Sequence, residues 1–183
     1  MHIDRLLTDC YFLKRCEISD IDRISKFYQY VCEKTEHMER FGKWIYGLHP
    51  AKEQIEYYIK SGFMYSFEKN GEIFGAVAIT PFQGTEYQDI DWQIVCNNNE
   101  VSVVHLLAVN PDHQSCGIAR KIMRNAVDIA KSNSSKAVRL DAISCNIPAH
   151  KLYRSIGFEK ISIRNWYADN VGNTEFYLFE LLL

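Results

Sequence analysis

Several features that mark common protein classes are absent from this sequence. No run of 18 apolar residues occurs in its 183 residues, so we expect no transmembrane helix. The first five residues already include two charged side chains and open no apolar segment, so no signal peptide is expected. The six cysteines are scattered without a C-x-x-C pair, which disfavours a disulfide framework or a zinc site. A formal net charge of −2 gives no electrostatic signal for nucleic-acid binding.

The remaining composition is typical of one soluble globular domain. Apolar residues make up 47% of the chain and charged residues 24%, and 183 residues can bury a sizeable core. We therefore expect a single domain over residues 1–183, with reduced thiols and a cytoplasmic location. We expect no metal and no membrane or nucleic-acid partner.

Strand and helix periodicities alternate along the chain. The expected strands cover residues 11–16, 63–68, 72–80, 91–96, 100–109, 137–143, 158–163 and 174–182. Four helices are expected. One begins just after residue 18, one covers residues 51–60, one begins near residue 118, and one covers residues 146–156 and ends before Gly157. Asn70-Gly71 between two strands predicts a type I′ turn. Because strands and helices alternate in the second half, we expect a mixed, partly parallel α/β sheet.

The most informative stretch covers residues 103–131. An apolar strand turns through Asn110-Pro111-Asp112, passes a loop that contains Gly117, and enters a helix. The first N–H groups of a helix lack intrahelical partners, and the helix dipole adds positive charge there, so such a loop can bind phosphate. The loop contains neither G-x-G-x-x-G nor G-x-x-x-x-G-K-[ST], so it is neither a Rossmann fingerprint nor a P-loop.

Two motifs resemble one enzyme superfamily. Residues 114–119, Q-S-C-G-I-A, resemble the [Q/R]-x-x-G-x-[G/A] pyrophosphate loop of the GNAT (Gcn5-related) N-acetyltransferases. Residues 146–158 are similar to that family's N-x-x-A-x-x-L-Y-x-x-x-G-F. Both occur in the family's order, and the resemblance covers about residues 11–165. It implies the α/β GNAT (acyl-CoA N-acyltransferase) fold, a mixed central sheet of about six to seven strands with helices on both faces.

The resemblance also implies a reaction. The acetyl group of acetyl-CoA would move to a primary amine of an unidentified small molecule, by direct attack in a ternary complex. The alternatives are a CoA-binding module without turnover and a protein or peptide N-acetyltransferase.

The resemblance assigns the acetyl-CoA site to two segments and one helix start. The strand backbone at Leu107, Ala108 and Val109 would bind the pantetheine arm where it diverges from its neighbour. The pyrophosphate would lie on the loop formed by Gln114, Ser115, Cys116, Gly117, Ile118, Ala119 and Arg120. Asn146 either caps its helix or bonds the pantetheine amides. Cys116 stands where the family often has a basic residue or glycine, and it is either a modifiable thiol or a small buried one.

The resemblance points to Tyr153 as the general acid. The family's tyrosine at this motif position directs its hydroxyl toward the CoA sulfur. The alternative is a tyrosine that fills the gap between helix and sheet.

His105 is the candidate base. An amine with a pKa of ~10.4 is protonated at pH 7, and freeing it costs roughly 4–5 kcal/mol. An ordinary histidine pKa of ~6.5 suits this task. The resemblance includes a histidine at this offset in arylalkylamine N-acetyltransferases, whereas other members have a glutamate two positions earlier, where this chain has Val103. Glu100, Asp91, His49 and a water chain remain alternatives.

An aromatic segment bears on the acceptor site, and the C-terminal strand bears on the oligomeric state. The aromatic residues either wall the acceptor pocket or fill the core, and they are Phe41, Trp44, Tyr46, His49, Tyr57 and Tyr58. The apolar C-terminal strand, residues 176–183, could pair with a second chain, which leaves a homodimer open.

Overall fold

The computed structural model describes residues 12–183, so expectations for residues 1–11 lie outside it. Its strands are β1 (Phe12–Arg15), β2 (Met64–Lys69), β3 (Glu72–Thr80), β4 (Val101–Val109), β5 (Ala137–Ile143), β6 (Glu159–Ala168) and β7 (Gly172–Leu182). Its helices are α1 (Ile21–Lys34), α2 (Lys52–Lys60), α3 (Ile118–Ser132) and α4 (Ile147–Arg154). The expected mixed α/β architecture is confirmed.

The described strands form one seven-stranded sheet in the order β1-β2-β3-β4-β5-β7-β6. Only β4 and β5 run parallel, and the other neighbours run antiparallel. The β2–β3 turn has φ of 52° at Asn70 and 81° at Gly71, which agrees with the predicted type I′ turn. Strand β7 pairs with β5 on one side and β6 on the other over most of its length. Both edges of this strand are thus paired within the chain, which does not support the possibility that it pairs with a second chain; a homodimer stays a prediction.

Two hydrophobic clusters cover the two faces of the sheet. One contains the apolar face of α3 together with Tyr153 of α4, and the other contains the inner faces of α1 and α2. On α3 the fully packed positions are Ile118, Ile122, Met123, Ala126 and Ala130. The expected helices on both faces are thus present. The burial of each helix's apolar face against the sheet stabilises the fold, because it removes apolar surface from water.

The segment 91–96 is not a strand, contrary to the prediction. Its backbone bonds to buried side chains instead of to a neighbouring strand. The Gln93 N–H donates to Glu180 at 2.8 Å, and the Ile94 carbonyl accepts from Arg139 at 3.0 Å. Two buried charged side chains have therefore replaced the sheet partner that the apolar pattern suggested.

Strand β4 separates from β5 after three residue pairs. The parallel pairing covers Val101 to Val103 and then stops. In the pairing with β3, Ala76 lies opposite Ala108 and Ala78 lies opposite His105. Strand β4 therefore contains one more residue than β3 between these pairs, which is a β-bulge. The sheet therefore opens on the C-terminal side of β4, as the resemblance implied.

The bulge is anchored by a buried tyrosine. Leu106 has a φ of 51°, an uncommon value for leucine. Its carbonyl accepts a 2.6 Å hydrogen bond from the Tyr28 hydroxyl on α1, and Tyr28 is fully buried. Because this bond satisfies the displaced carbonyl, α1 stabilises the bulge that opens the sheet.

Candidate functional site

A cavity of about 810 Å³ lies where β4 and β5 separate. Nearly all of the sequence-predicted site residues line it, namely His105, Leu107, Ala108, Val109, Gln114, Ser115, Gly117, Ile118, Ala119, Arg120, Asn146 and Tyr153. Cys116 is exposed instead, so the prediction of a small buried thiol is wrong. One space thus joins the open strand, the glycine loop and the start of α4.

The glycine loop has the backbone conformation that a phosphate site needs. Gly117 lies in the left-handed region at a φ of 74° and is the N-cap of α3. No N-cap side chain accepts a hydrogen bond from the first N–H groups of this helix, so these groups are available to a ligand in the cavity. The Arg120 guanidinium donates to the Ser155 carbonyl of the following segment at 3.2 Å. The loop can therefore accept an anion with backbone donors and one neighbouring positive charge.

Tyr153 lies at the base of the cavity. Its ring packs against Phe158 and Phe179, and the side chain is only 7% exposed. The residue lines the cavity, and no hydrogen bond joins its hydroxyl to another residue of the range 12–183. Burial raises the pKa of this phenol, so it keeps its proton near neutral pH. The residue fills the gap between α4 and the sheet, and it also presents an available proton donor.

Asn146 caps α4. Its Oδ1 accepts from the Ala149 N–H at 3.2 Å, so the helix-capping alternative is present in the structure. The same residue lines the cavity, and a contact with the pantetheine arm stays a prediction.

His105 is a weaker base than the sequence suggests. Its Nε2 lies 3.3 Å from Thr80 Oγ1, and its ring stacks on Tyr58 with centroids 5.6 Å apart. Burial, with a smaller effect of His49, lowers the pKa of His105 to about 4. The assumed pKa near 6.5 was wrong because the sequence does not reveal this burial. The imidazole is neutral at pH 7, but it holds a proton weakly.

The depressed pKa of His105 predicts a pH-dependent stability. The unfolded histidine, with a pKa of ~6.5, binds its proton more tightly than the folded one, so stability is lost as pH falls from about 6.5 to about 4. The loss should reach roughly 2–3 kcal/mol. Urea unfolding of the wild type and His105→Gln across this range measures it. Equal losses in both proteins would contradict the assignment.

Asp141 is a functional candidate that the sequence reasoning missed. It lies on β5, lines the cavity, and accepts a 2.6 Å hydrogen bond from the Tyr87 hydroxyl. Burial is the main cause of its raised pKa. The signal was present, because Arg139 and Asp141 interrupt an otherwise apolar strand two positions apart. Charged residues in a buried strand require partners and thereby indicate a site or a network.

Arg139 fixes the loop that holds Tyr87 in place. The guanidinium is 1% exposed, bonds Glu180 Oε1 at 2.8 Å, and also donates to Gln83. It lies 4.3 Å from the centre of the Trp92 ring, which in turn stacks on Tyr87. The loop between β3 and β4 is thus attached to β5 by a buried charge and two stacked rings.

All but one member of the aromatic segment have one of the two predicted roles, and Tyr57 has neither. Four members line the cavity, namely Phe41, Trp44, His49 and Tyr58. Tyr46 packs against the core and Tyr57 is 52% exposed.

The remaining alternative bases are poorly placed. Glu100 pairs with Lys136 at 2.6 Å, and neither it nor Asp91 lines the cavity. His49 does line it, but burial lowers its pKa as well. Among the described residues, three carboxylates line the cavity, those of Glu36, Glu86 and Asp141, and the charge of Asp141 is the one that acts on Tyr153.

The described residues contain no group of three or more His, Cys, Asp or Glu side chains placed to bind a metal ion. Within the same part of the chain, no helix is both long and apolar enough to cross a membrane.

A family model described as Acetyltransferase (GNAT) family matches residues 19–158. N-alpha-acetyltransferase RimI of Mycobacterium tuberculosis is 36% identical over 64 residues, which cover 35% of this chain and 39% of that protein. The [Ribosomal protein bS18]-alanine N-acetyltransferase of Escherichia coli is 29% identical over 76 residues, 41% of this chain and 51% of that protein. These matches thus cover about half or less of the relatives' length.

A solved structure has the same fold. The Bacillus subtilis acetyltransferase in complex with CoA aligns over 95% of this chain and 99% of its own, with a TM-score of 0.64 and 13% identity. At that identity the likeness shows the fold alone.

Proposed function

The chain belongs to the GNAT acetyltransferase family, and on that premise we propose that it transfers the acetyl group of acetyl-CoA to a primary amine of a small molecule. The observation that carries the proposal is one cavity that joins the Gly117 loop, the open edge of β4, Asp141 and Tyr153. A phosphate-binding loop, a free strand edge, a base and an acid are the parts that direct aminolysis of a CoA thioester needs.

The donor would lie along the opened strand. The N–H groups at the start of α3 would bind the pyrophosphate, and Arg120 would add positive charge. Beyond Val103, β4 no longer pairs with β5, so the backbone from Leu107 to Val109 can bond the pantetheine amides like an added strand. When bound, acetyl-CoA supplies the electrophilic thioester carbon.

Asp141 would act as the base. The ammonium form of the acceptor loses a proton to this carboxylate, whose burial makes it more basic than an exposed aspartate. The free amine attacks the thioester carbon, and the C–S bond breaks as the tetrahedral intermediate collapses. The thiolate takes a proton from the Tyr153 hydroxyl, which recovers one through water from the positively charged nitrogen that the attack created, and Asp141 releases its proton to solvent. His105 and Thr80 would orient that water, since the histidine is neutral.

Asp141→Asn tests the assigned base. The amide keeps an acceptor for the Tyr87 hydroxyl but cannot take a proton, so kcat/KM for an amine should fall about a hundredfold. Acetyl-CoA affinity should change little, because the phosphate loop is untouched. His105→Gln is the matched comparison and should lose less. A larger loss for His105→Gln than for Asp141→Asn would return the base to the histidine.

A protein N-terminus is the second candidate acceptor. The two similar enzymes from Mycobacterium tuberculosis and Escherichia coli are named N-alpha-acetyltransferase and ribosomal-protein alanine N-acetyltransferase. Peptides with a free N-terminal alanine, compared with small amines at equal concentration, distinguish the two classes. Faster acetylation of the peptide would move the function to proteins.

A further inference from the structure

The charges at the acceptor end of the cavity are of one sign. We define this end by Gln54, Tyr58, Glu86, His105 and Asp141. Among the described residues, Arg120 is the only lysine or arginine that lines the cavity, and it lies at the opposite, phosphate-binding end. Burial lowers the pKa of His105, so its ring adds no positive charge near neutral pH. The field at the acceptor end is therefore set by two carboxylates.

The Glu86 carboxylate is available to a ligand. Its side chain is exposed, and no ion pair or hydrogen bond joins it to another residue of the range 12–183. Its side chain folds back over Gly84, where a Cβ atom would clash with the carboxylate oxygens. Glu86 directly precedes Tyr87, whose hydroxyl bonds Asp141, and the charge of Glu86 adds to the burial that raises the pKa of Asp141, so the two carboxylates lie near each other.

A second observation concerns Tyr153, which lies next to this end, since the charge of Asp141 acts on it. The Tyr153 side chain is 7% exposed and lines the cavity, and no hydrogen bond joins its hydroxyl to another described residue. The Tyr58 ring, which stacks on His105, adds an aromatic surface of the kind that attracts ammonium groups. The end is thus built for a polar, positively charged occupant rather than for an apolar one.

We propose that the acceptor is a small aliphatic diamine, one amine of which is acetylated between Asp141 and Tyr153 while the second, still charged, lies against Glu86. This inference rests on the proposed function and names its substrate class. An acceptor with a carboxylate in place of the second ammonium would meet two like charges without a compensating cation, and it should be rejected.

Steady-state acetylation of three matched amines tests the proposal. With saturating acetyl-CoA, kcat/KM should be about tenfold higher for 1,4-diaminobutane than for butylamine, and lowest for 4-aminobutanoate. Glu86→Gln should lower the value for the diamine about tenfold more than that for butylamine, mainly through KM. Gly84→Ala, which displaces the Glu86 carboxylate, should act in the same direction. Asp128→Asn, an exposed change on α3, should leave all three ratios unaltered.

A binding measurement separates this proposal from the proposed function. Calorimetric titration of 1,4-diaminobutane into the CoA-loaded protein should show binding that Glu86→Gln weakens, whether or not turnover occurs. Binding of 1,4-diaminobutane without its acetylation would contradict the proposed acetyltransferase function and would still support the diamine site. Acetylation of butylamine as efficiently as of the diamine, an equal effect of Glu86→Gln on both, or a clear preference for an alanine peptide would overturn the diamine site.

Discussion

Replacing Tyr153 by phenylalanine is expected to lower kcat about a hundredfold or more. The change removes one hydroxyl from a residue that lines the cavity, and no hydrogen bond joins that hydroxyl to the described part of the protein. Burial raises the pKa of this hydroxyl, so it is protonated and able to donate when the thiolate leaves. Without it, a thiolate with a pKa of ~8.5 must leave unassisted or take a proton from water.

The expected loss lies in the chemical step and not in folding. The phenylalanine ring retains the contacts with Phe158 and Phe179, so the thermal midpoint and the affinity for acetyl-CoA should change little. Tyr167→Phe is the matched control, because that tyrosine lies on β6 and is 71% exposed. A kcat for Tyr153→Phe within about threefold of the wild type would mean that the residue is only a packing element.

Replacing Arg139 by methionine is expected to reduce the free energy of unfolding by about 3–5 kcal/mol. The change leaves Glu180, which is 0% exposed, as a buried charge without its guanidinium partner. It also removes the donor to the Ile94 carbonyl and the cation over Trp92, so the loop between β3 and β4 loses its attachment. Urea unfolding monitored by tryptophan fluorescence measures the loss.

The double variant Arg139→Met/Glu180→Leu separates the buried charge from the attachment of the loop. Removal of both charges eliminates the unpaired carboxylate, so part of the lost stability should return. Activity should be low in both variants, because Trp92, which stacks on Tyr87, loses its contact with the Arg139 guanidinium in each. A single variant that loses less than about 1 kcal/mol would show that water replaces the ion pair.

The elements that sequence alone identified are those with local signals. The Asn70-Gly71 turn and the Gly117 helix start both depend on residues that tolerate positive φ, and both occur where expected. The helix expected to begin near residue 118 is α3, which begins at Ile118. The motifs at residues 114–119 and 146–158 placed their residues around one cavity.

The features that escaped prediction depend on contacts between distant parts of the chain. The segment 91–96 has a strand-like composition, but its backbone bonds to Glu180 and Arg139, which lie 40 or more residues away in sequence. The position of β7 inside the sheet likewise depends on pairing with β5 and β6 rather than on its own apolar pattern. The weak basicity of His105 and the raised pKa of Asp141 follow from burial, which a local pattern does not show.

The most direct test of the central claim is the release of CoA thiol from acetyl-CoA by the purified protein, with and without a primary amine. The account predicts release that depends on the amine and an equal amount of acetylated amine in the product. Under single-turnover conditions without amine, no acetyl group should become attached to the protein, because attack is direct. Tight binding of acetyl-CoA without thiol release, for small amines and for alanine peptides alike, would contradict the account and indicate a binding module.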